Sequence, residues 1–507
     1  MSIRTTCGIS AMAAILASSS LMSSAAVADS PSCALRDNSS PAKLTECVTL
    51  AGVRQHQAAL QAIADANNGT RVSGAPGYDA SVAYVRDALQ NAGYIVTTQD
   101  FQFQTFIELT PSVLEQVSPA PAGPIANEIM SYSGSGDVTA TVTALSAPPG
   151  DATPGCEAAD FAGFPAGSIA LISRAACTFA IKATNAFNAG ASGLVIYNSS
   201  DAPLNGTLGN GFTLNLPVVA VTQSVGQQLA ATPGLVLRLR TDTFRGLATA
   251  ANVIAETASG NPNNVVMAGG HLDSVNGGPG IQDNGSGVAA LLETAIQMAK
   301  AKTNNKVRFA FWGAEESGLV GSTYYVNTLT QEERDRIALY LNFDMIGSPN
   351  HVFFIYDGDD SDEVGASAGP VGSAAIEAAF HAYFDAFGVP TLGTDFSGRS
   401  DYGPFIAQGI PAGGLFTGAE GIKSAAQAAL WGGTAGQQFD PCYHLACDTY
   451  ANVNEYALET NSDALAQVVA GYAADTAAVN GVVGKGKKKS KDKSKMLFEY
   501  WGPHAIR

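Results

Sequence analysis

The chain has 507 residues, 46% of them hydrophobic and 14% charged, which is enough for two or three domains with full-sized cores and excludes a disordered protein. Its formal net charge is −17 even though a Lys-rich stretch at 484–495 is strongly basic, so the remainder is more acidic still. Such an acidic chain repels nucleic acid, and nucleic-acid binding is therefore excluded from the functions considered.

The N-terminus has the three parts of a secretory signal peptide. Arg4 supplies positive charge, the stretch 11–22 is an apolar core, and small residues at 26–28 fit cleavage before Asp29. We therefore predict a signal peptide at 1–28 and a secreted or periplasmic mature protein. No other stretch has the roughly 18–20 apolar residues of a membrane span, so we predict none.

The cysteines agree with export. Cys7 leaves with the signal peptide, and six cysteines remain, an even number that favours disulfides in an oxidising compartment. Six cysteines allow many pairings. Neighbours along the sequence suggest the pairs 33–47, 156–177 and 442–447.

The first part of the mature chain, 29–120, has the pattern of helices followed by a strand. Apolar residues recur with helical spacing at 44–65 and 76–93, and 93–103 is typical of a strand. A Pro-rich stretch at 118–124 breaks this pattern. We predict that 29–120 is the N-terminal part of a domain to which the chain later returns.

The sequence pattern is different between about 125 and 240. Short β-rich runs at 168–174, 192–198 and 216–222 alternate with Gly/Pro turns and a helix-like stretch at 179–189. We predict that 125–240 is a small β-rich domain inserted between the two parts of the larger one.

From about 249 to 480, strands and helices alternate. Strands are predicted at 252–256, 264–269, 306–312, 338–343, 351–356 and 412–416, and helices at 286–302, 318–328, 371–387, 401–408 and 454–478. This alternation predicts an α/β sheet covered by helices. The tail at 484–507 begins with the Lys-rich stretch and is predicted to be disordered.

Histidines and acidic residues recur where the predicted strands end. They are His271, Asp273, Asp283, Glu315, Glu316, Asp344 and His444. In open α/β sheets, ligands bind outside the carboxyl ends of the strands, so we expect these side chains at one edge of the sheet. Taken singly, each could be a structural histidine, a solvated turn or a helix cap, but those explanations leave the shared placement unexplained.

Two histidines and several carboxylates at one edge would concentrate negative charge unless cations neutralise it. Imidazole with carboxylate suits zinc. Five ligands are too many for one tetrahedral ion that must keep a water, and they suit two zinc ions that share a carboxylate, roughly 3.5–4 Å apart. The acidic run at 356–363 offers a further cation site, for calcium, but it lacks the EF-hand spacing, and a solvated loop explains it better.

With these residues in view, the sequence resembles the M28 zinc aminopeptidases, in the secreted form that carries a protease-associated domain. The matching motifs are GGHLDS, GIQDNGSGVAALLE, FWGAEESGLVGS, LNFDMIG, SGRSDYGPF and DPCYHLACD. They are specific as an ordered set, and the resemblance covers most of 45–480. It implies a zinc exopeptidase-like fold, with a mixed central sheet flanked by helices and a protease-associated domain at 125–240, where the match includes ASGLVIYN.

Carried over residue by residue, the resemblance implies a two-zinc site. His271 and Asp344 would bind one ion, Glu316 and His444 would bind the other, and Asp283 would bridge them.

The resemblance also implies roles for residues around the metals. Glu315 would be the general base, Tyr443 would stabilise the oxyanion, Asp273 would orient His271, and Arg399 would help at the substrate end. In addition it supports a disulfide between Cys442 and Cys447 and implies a cis peptide bond between Asp283 and Asn284.

The implied function is a secreted aminopeptidase that acts on peptides and proteins with a free N-terminus. A dipeptidase or a carboxypeptidase of the same fold would share the ligands, so only substrate tests separate these enzymes. A glutaminyl cyclase would need one zinc, and a non-catalytic peptide-binding relative should lack ligands or Glu315. A serine hydrolase or an HExxH protease is disfavoured, because the chain has neither a G-x-S-x-G nor an HExxH motif.

Overall fold

The computed structural model describes residues 33, 36–145, 153–174, 177–204, 206–365 and 368–482. The predicted signal peptide at 1–28 and the tail at 484–507 lie outside the described residues. In the part of the chain that is described, no helix is both long enough and apolar enough to cross a membrane.

From residue 36 onward, the described part of the N-terminal segment has three helices before its first strand. They are α1 (Pro41–Cys47), α2 (Leu50–Ala66) and α3 (Pro76–Ala92). The single helix predicted at 44–65 is thus two helices, because Val48 has an extended backbone and the Thr49 hydroxyl accepts a hydrogen bond from the Gly52 amide to start α2.

The middle of the chain is rich in strands. Its elements are β1 (Ile95–Ser118), β2 (Gly123–Pro124), β3 (Glu128–Ile129), β4 (Gly136–Ala144), a 3-10 helix (Ala158–Phe161), β5 (Ile169–Ser173), α4 (Phe179–Asn188), β6 (Gly193–Tyr197), β7 (Val218–Val221), α5 (Gln223–Ala230) and β8 (Val236–Glu256). Strands β4 to β7 pair in parallel, and β5 and β6 contribute Ile172, Leu194 and Ile196 to a separate apolar core. The expectation of a small inserted β-rich domain is confirmed.

The C-terminal part alternates strands and helices, as predicted. Its elements are β9 (Asn261–His271), α6 (Gly285–Met298), β10 (Asn305–Trp312), α7 (Val320–Thr328), α8 (Gln331–Arg336), β11 (Ile337–Phe343), β12 (Phe354–Tyr356), α9 (Ser373–Ala386), β13 (Leu392–Thr394), α10 (Gly403–Ala407), β14 (Ala412–Phe416), α11 (Ala425–Trp431), α12 (Glu455–Ala474) and α13 (Ala477–Asn480). Every strand and helix predicted for this region is present, although β12 is shorter than predicted.

The long strands β1 and β8 were largely missed by the sequence analysis. They pair antiparallel from Ile95 opposite Glu256 to Ser118 opposite Val236. The sequence predicted only the end of this pair that packs on helices. Since β8 also pairs with β4 at one end and with β10 at the other, it joins the inserted domain to the main sheet.

The main sheet is mixed, with the strand order β13-β12-β14-β11-β9-β10-β8-β1. Strands β14, β11, β9 and β10 are parallel, whereas β8 and β12 run antiparallel to their neighbours in that set. In β9, Val266 and Ala268 join the core under α2, α3 and α6, while Val265 and Met267 join a second core under α7 and α10. Helices therefore cover both faces, which confirms the predicted fold class.

The parallel strands deliver their carboxyl ends to one edge of the sheet. His271, the last residue of β9, lies opposite Trp312, the last residue of β10. Strand β11 ends at Phe343, one residue before Asp344. The same strand direction therefore brings residues that are distant in sequence to one place.

Candidate metal centre

The first histidine of the predicted site ends β9 and is held by Asp273, two residues later. His271 is buried, and its Nδ1 lies 3.1 Å from the carbonyl oxygen and 3.5 Å from the Oδ1 of Asp273. Its Nε2 faces two carboxylates, at 3.2 Å from Asp283 Oδ1 and 3.4 Å from Asp344 Oδ1. Asp273 thus contacts one ring nitrogen and leaves the other for the site.

The second histidine meets the same aspartate from the opposite side. His444 Nε2 lies 3.2 Å from Asp283 Oδ2 and 3.2 Å from Glu316 Oε2. The two oxygens of Asp283 therefore face two different imidazoles, each of which has a further carboxylate beside it. The Asp283–Asn284 peptide bond is cis, as the resemblance implied.

The donors in this cluster fit zinc. One ligand atom each from His271, Asp283 and Glu316 lies within 4.8 Å of the others. Asp344 Oδ1 and Glu316 Oε1 are buried and accept no hydrogen bond among the described residues. A buried carboxylate oxygen without a donor is costly, and a cation would compensate it. Imidazole nitrogens with carboxylate oxygens are a donor set that zinc prefers.

The pKa shifts of the residues in the cluster also favour positive charge at this site. Burial alone would lower the pKa of His271, but the charges of Asp344 and Glu315 raise it well above its usual value. The pKa of His444 is likewise lowered by burial and raised overall, to well above its usual value, by Glu316 and Asp283. Burial would raise the pKa of Asp283, yet the two histidines hold it below its usual range. The surrounding carboxylates therefore stabilise positive charge at both imidazoles, whether a proton or a metal ion carries it.

Glu315 is buried beside the cluster without contacting either histidine Nε2. It follows β10 in a turn where Ala314 has a φ of 53°, and its backbone amide donates to Asp273 Oδ1 at 3.2 Å. Burial raises the pKa of its carboxyl group well above the usual value, and the neighbouring Glu316 adds to this. A buried carboxylate with a raised pKa is suited to accept a proton.

All but one of the predicted metal-binding, catalytic and substrate-binding residues line a single pocket. The predicted residues in its wall are His271, Asp283, Glu315, Glu316, Asp344, Arg399, Tyr443 and His444. Asp273 lies behind this wall, against His271. The Tyr443 ring stacks on the His444 ring with centroids 3.8 Å apart.

Arg399 lies at the mouth of the pocket and already has a partner. Its Nη2 is 3.3 Å from Glu420 Oε1, and both side chains are about half exposed, at 52% and 45%. Glu420 could not be predicted from the sequence, because a single exposed glutamate in a loop has no local pattern that marks it as part of a site.

The structure adds two residues that the sequence analysis did not assign. The Ser400 hydroxyl donates to Asp344 Oδ2 at 2.6 Å. The Asn284 side chain donates to the Phe343 carbonyl at 2.8 Å and accepts from the Met345 amide at 3.2 Å, so it holds the backbone on both sides of Asp344. Both residues belong to motifs that carried the resemblance, and that was the only signal available for them.

The acidic run at 356–363 brings Asp357 and Asp359 near Glu377, with one ligand atom of each within 4.8 Å. The oxygens of Asp357 accept hydrogen bonds from the Ser361 and Asp362 amides, and Glu377 accepts one from the Gly358 amide. The backbone amides of this loop thus donate to Asp357 in the loop and to Glu377 in α9, as in an ordinary acidic turn.

The three cysteine pairs suggested by sequence proximity are disulfides in the structure. They are Cys33–Cys47, Cys156–Cys177 and Cys442–Cys447. The last of these closes the short loop that carries Tyr443 and His444.

The two parts of the chain match two different families of known proteins. Residues 252–469 match the model of a family described as Peptidase family M28, and residues 138–229 match the model of the PA domain. The chain is 46% identical over 486 residues to an aminopeptidase of Pseudomonas aeruginosa, covering 92% of this chain and 90% of that protein. It is 41% identical over 415 residues to a probable leucine aminopeptidase 2 of Aspergillus oryzae, covering 81% of each. A zinc aminopeptidase of Bacillus subtilis, 24% identical, shares the fold with a TM-score of 0.61 over 83% of this chain and 94% of that structure.

Proposed function

The chain belongs to peptidase family M28 and is an aminopeptidase, and on that premise we propose that it hydrolyses the N-terminal bond of peptides and proteins with two zinc ions per chain. The observation that carries the proposal is the position of Asp283, whose two carboxylate oxygens each lie 3.2 Å from the Nε2 of a different histidine. His271 and Asp344 would hold one ion, and Glu316 and His444 the other, with Asp283 between them.

The chemistry that zinc supplies when bound is acidification of water and polarisation of a carbonyl group. Glu315 accepts the proton of the attacking water and passes it to the leaving amine. The Tyr443 hydroxyl donates a hydrogen bond to the oxyanion that develops on the peptide carbonyl. Asp273 keeps the His271 ring in its orientation through contacts at Nδ1.

The charges around the pocket favour recognition of an amino group. Among the acidic residues that line it, Glu315 and Glu420 are not proposed zinc ligands, and an α-amino group with a pKa of about 7.7–8.0 is largely protonated at neutral pH. The nearby cation, Arg399, has the carboxylate of Glu420 beside it, and this glutamate would compete with a C-terminal carboxylate for the guanidinium. This pairing supports an aminopeptidase over the alternative of a carboxypeptidase.

Part of the pocket wall beyond the proposed metal ligands is apolar, and the rest of it is polar or charged. Met345, Tyr356 and Phe416 line it together with Ala419. The Aspergillus relative is named as a probable leucine aminopeptidase, which agrees with such a wall. We propose that leucine and similar side chains are preferred at the substrate N-terminus.

The proposal extends to location and organisation. The signal-like N-terminus and the three disulfides support a secreted or periplasmic enzyme. We propose that 29–120 and 249–480 together form the peptidase domain and that 125–240 is the inserted protease-associated domain.

One peptide in three forms tests the direction of cleavage. We expect the free peptide and its C-amidated form to be trimmed stepwise from the N-terminus, and the N-acetylated form to resist, because acetylation removes the ammonium group. The products can be followed by mass spectrometry. Rapid release of the C-terminal residue from the acetylated peptide would make the protein a carboxypeptidase and overturn the proposal.

The Cys442–Cys447 disulfide gives a second prediction, because its loop positions both Tyr443 and His444. We expect the double variant C442S/C447S to lose about 10- to 100-fold in kcat/KM, since a displacement of about 1 Å in an active site can have such an effect. The assay is hydrolysis of leucine p-nitroanilide, with the melting temperature recorded in parallel.

The matched control is the double variant C33S/C47S, which removes a buried disulfide away from the site. We expect this control to lower the melting temperature with a smaller effect on kcat/KM. If C442S/C447S retains full activity, or if both variants lose activity only in proportion to their lost stability, the positioning role of the disulfide is wrong.

A further inference from the structure

Asp448 lies next to the proposed metal site without reaching it. It is buried, directly follows Cys447, and points its carboxylate at the segment before α6. Its Oδ1 accepts a hydrogen bond from the Gln282 amide at 2.8 Å, and its Oδ2 accepts one from the Asp283 amide at 3.0 Å. One side chain therefore fixes the backbone of the residue proposed to bridge the two ions.

The contact between the two loops continues on either side of this carboxylate. The Ile281 amide donates to the Asp448 carbonyl at 3.1 Å. A Cβ atom on Gly278 would lie 2.3 Å from the Leu445 carbonyl oxygen, so the loops approach as closely as a glycine allows. The position of Asp283 is thereby tied to the disulfide loop that carries His444.

Arg71 also binds this segment, which spans residues 272–283, and it does so through backbone carbonyls. It is fully buried, and its guanidinium donates to the carbonyls of Leu272, Pro279 and Gly280. A buried cation thus binds the carbonyls of the segment, and a buried carboxyl group binds its amides. The hydrogen bonds of Arg71 are charge-assisted and stronger than neutral ones, so they restrict the backbone more firmly.

We propose that Asp448 is a positioning residue that holds the bridging Asp283 in register with His444, and that it does so through the protein's own hydrogen bonds and not through the metal. The inference rests on the proposed roles of Asp283 and His444 as zinc ligands. It assigns to Asp448 an effect on zinc affinity and on coordination geometry, in addition to any effect on stability.

The variant Asp448→Asn tests this inference, because it places an amide NH2 group against one of the two backbone N–H donors. We expect its zinc affinity, measured by competition with a chelator, to fall by about 10- to 100-fold, which is typical for partners behind metal ligands. We also expect the visible absorption spectrum of the cobalt-substituted variant to differ from that of the cobalt-substituted wild type, because that spectrum reports the coordination geometry.

The matched control is Asp357→Asn. Asp357 is also buried, and its two oxygens also accept from two backbone amides, at 2.9 Å from Ser361 and 3.0 Å from Asp362. We expect this control to lower the melting temperature but to keep wild-type zinc affinity and the wild-type cobalt spectrum. Wild-type values for Asp448→Asn, or equal losses of zinc affinity in both variants, would overturn the inference.

Hydrogen–deuterium exchange on the wild-type protein decides the matter if Asp448→Asn does not fold. We expect the Gln282 and Asp283 amides to stay protected after zinc is removed with a chelator, because Asp448 and not the ion accepts their hydrogen bonds. Loss of their protection on chelation, local or global, contradicts the inference. A wild-type protein that binds no zinc would contradict the proposed function instead, so the two failures are distinguishable.

Discussion

Removal of zinc with a strong chelator is expected to abolish peptide hydrolysis, and added zinc is expected to restore it. The reason is the composition of the site, where two imidazoles and three carboxylates share a small buried volume and two of the carboxylate oxygens accept no hydrogen bond. Such a set binds divalent cations tightly, and no side chain in the pocket replaces their ability to acidify water.

The measurement pairs hydrolysis of leucine p-nitroanilide with metal analysis of the same samples. We expect two zinc ions per chain in the active enzyme and none in the inactive, chelated one. A chelated sample without metal that keeps full activity would overturn the metal mechanism. Full activity with one ion per chain would leave the enzyme metal-dependent but would contradict the bridging role of Asp283.

The variant Glu315→Gln is expected to keep its zinc and to lose about 10²–10⁴-fold in kcat, the usual contribution of a general base. Glutamine has nearly the same size as glutamate but cannot take a proton from water. The carboxylates that lie beside the two histidine Nε2 atoms belong to Asp283, Asp344 and Glu316 and not to Glu315. Replacing Glu315 should therefore leave the proposed zinc ligands intact.

The adjacent residue is a matched control. Glu316 Oε2 lies 3.2 Å from His444 Nε2, on the side of one proposed ion, so Glu316→Gln is expected to lose zinc together with activity. Zinc content and kcat, measured for both variants, separate the roles of the two glutamates. If Glu315→Gln loses the metal and Glu316→Gln keeps it, the two assignments are exchanged.

The sequence by itself determined the alternation of strands and helices along the C-terminal part of the chain, and it showed which polar residues follow the strands. A strand buried on both faces needs a continuous apolar run, as in β11 and β14, and such a run is visible without any knowledge of its partners. Polar residues that follow these runs must lie at the carboxyl ends of the strands. That rule placed His271 and Asp344 at one edge before their contacts were known.

Only the tertiary structure decided the long β1–β8 pair. Most residues of β1 are exposed or half-buried, so the apolar alternation that marks a strand fades beyond its first half. What holds these residues extended is antiparallel pairing with β8, more than a hundred positions away along the chain. The spacing of apolar residues within one segment does not show which distant strand pairs with it.

The residues that support the site could not be predicted for the same reason, since their contacts join segments that are distant in sequence. Asp448 and Arg71 bind backbone amides and carbonyls, which every residue type possesses, so nothing in the sequence of the 272–283 segment marks it as their partner. The pairing of Arg399 with Glu420 is equally invisible in the sequence. Side-chain chemistry fixes which residues can react, whereas contacts between distant segments fix where they are held.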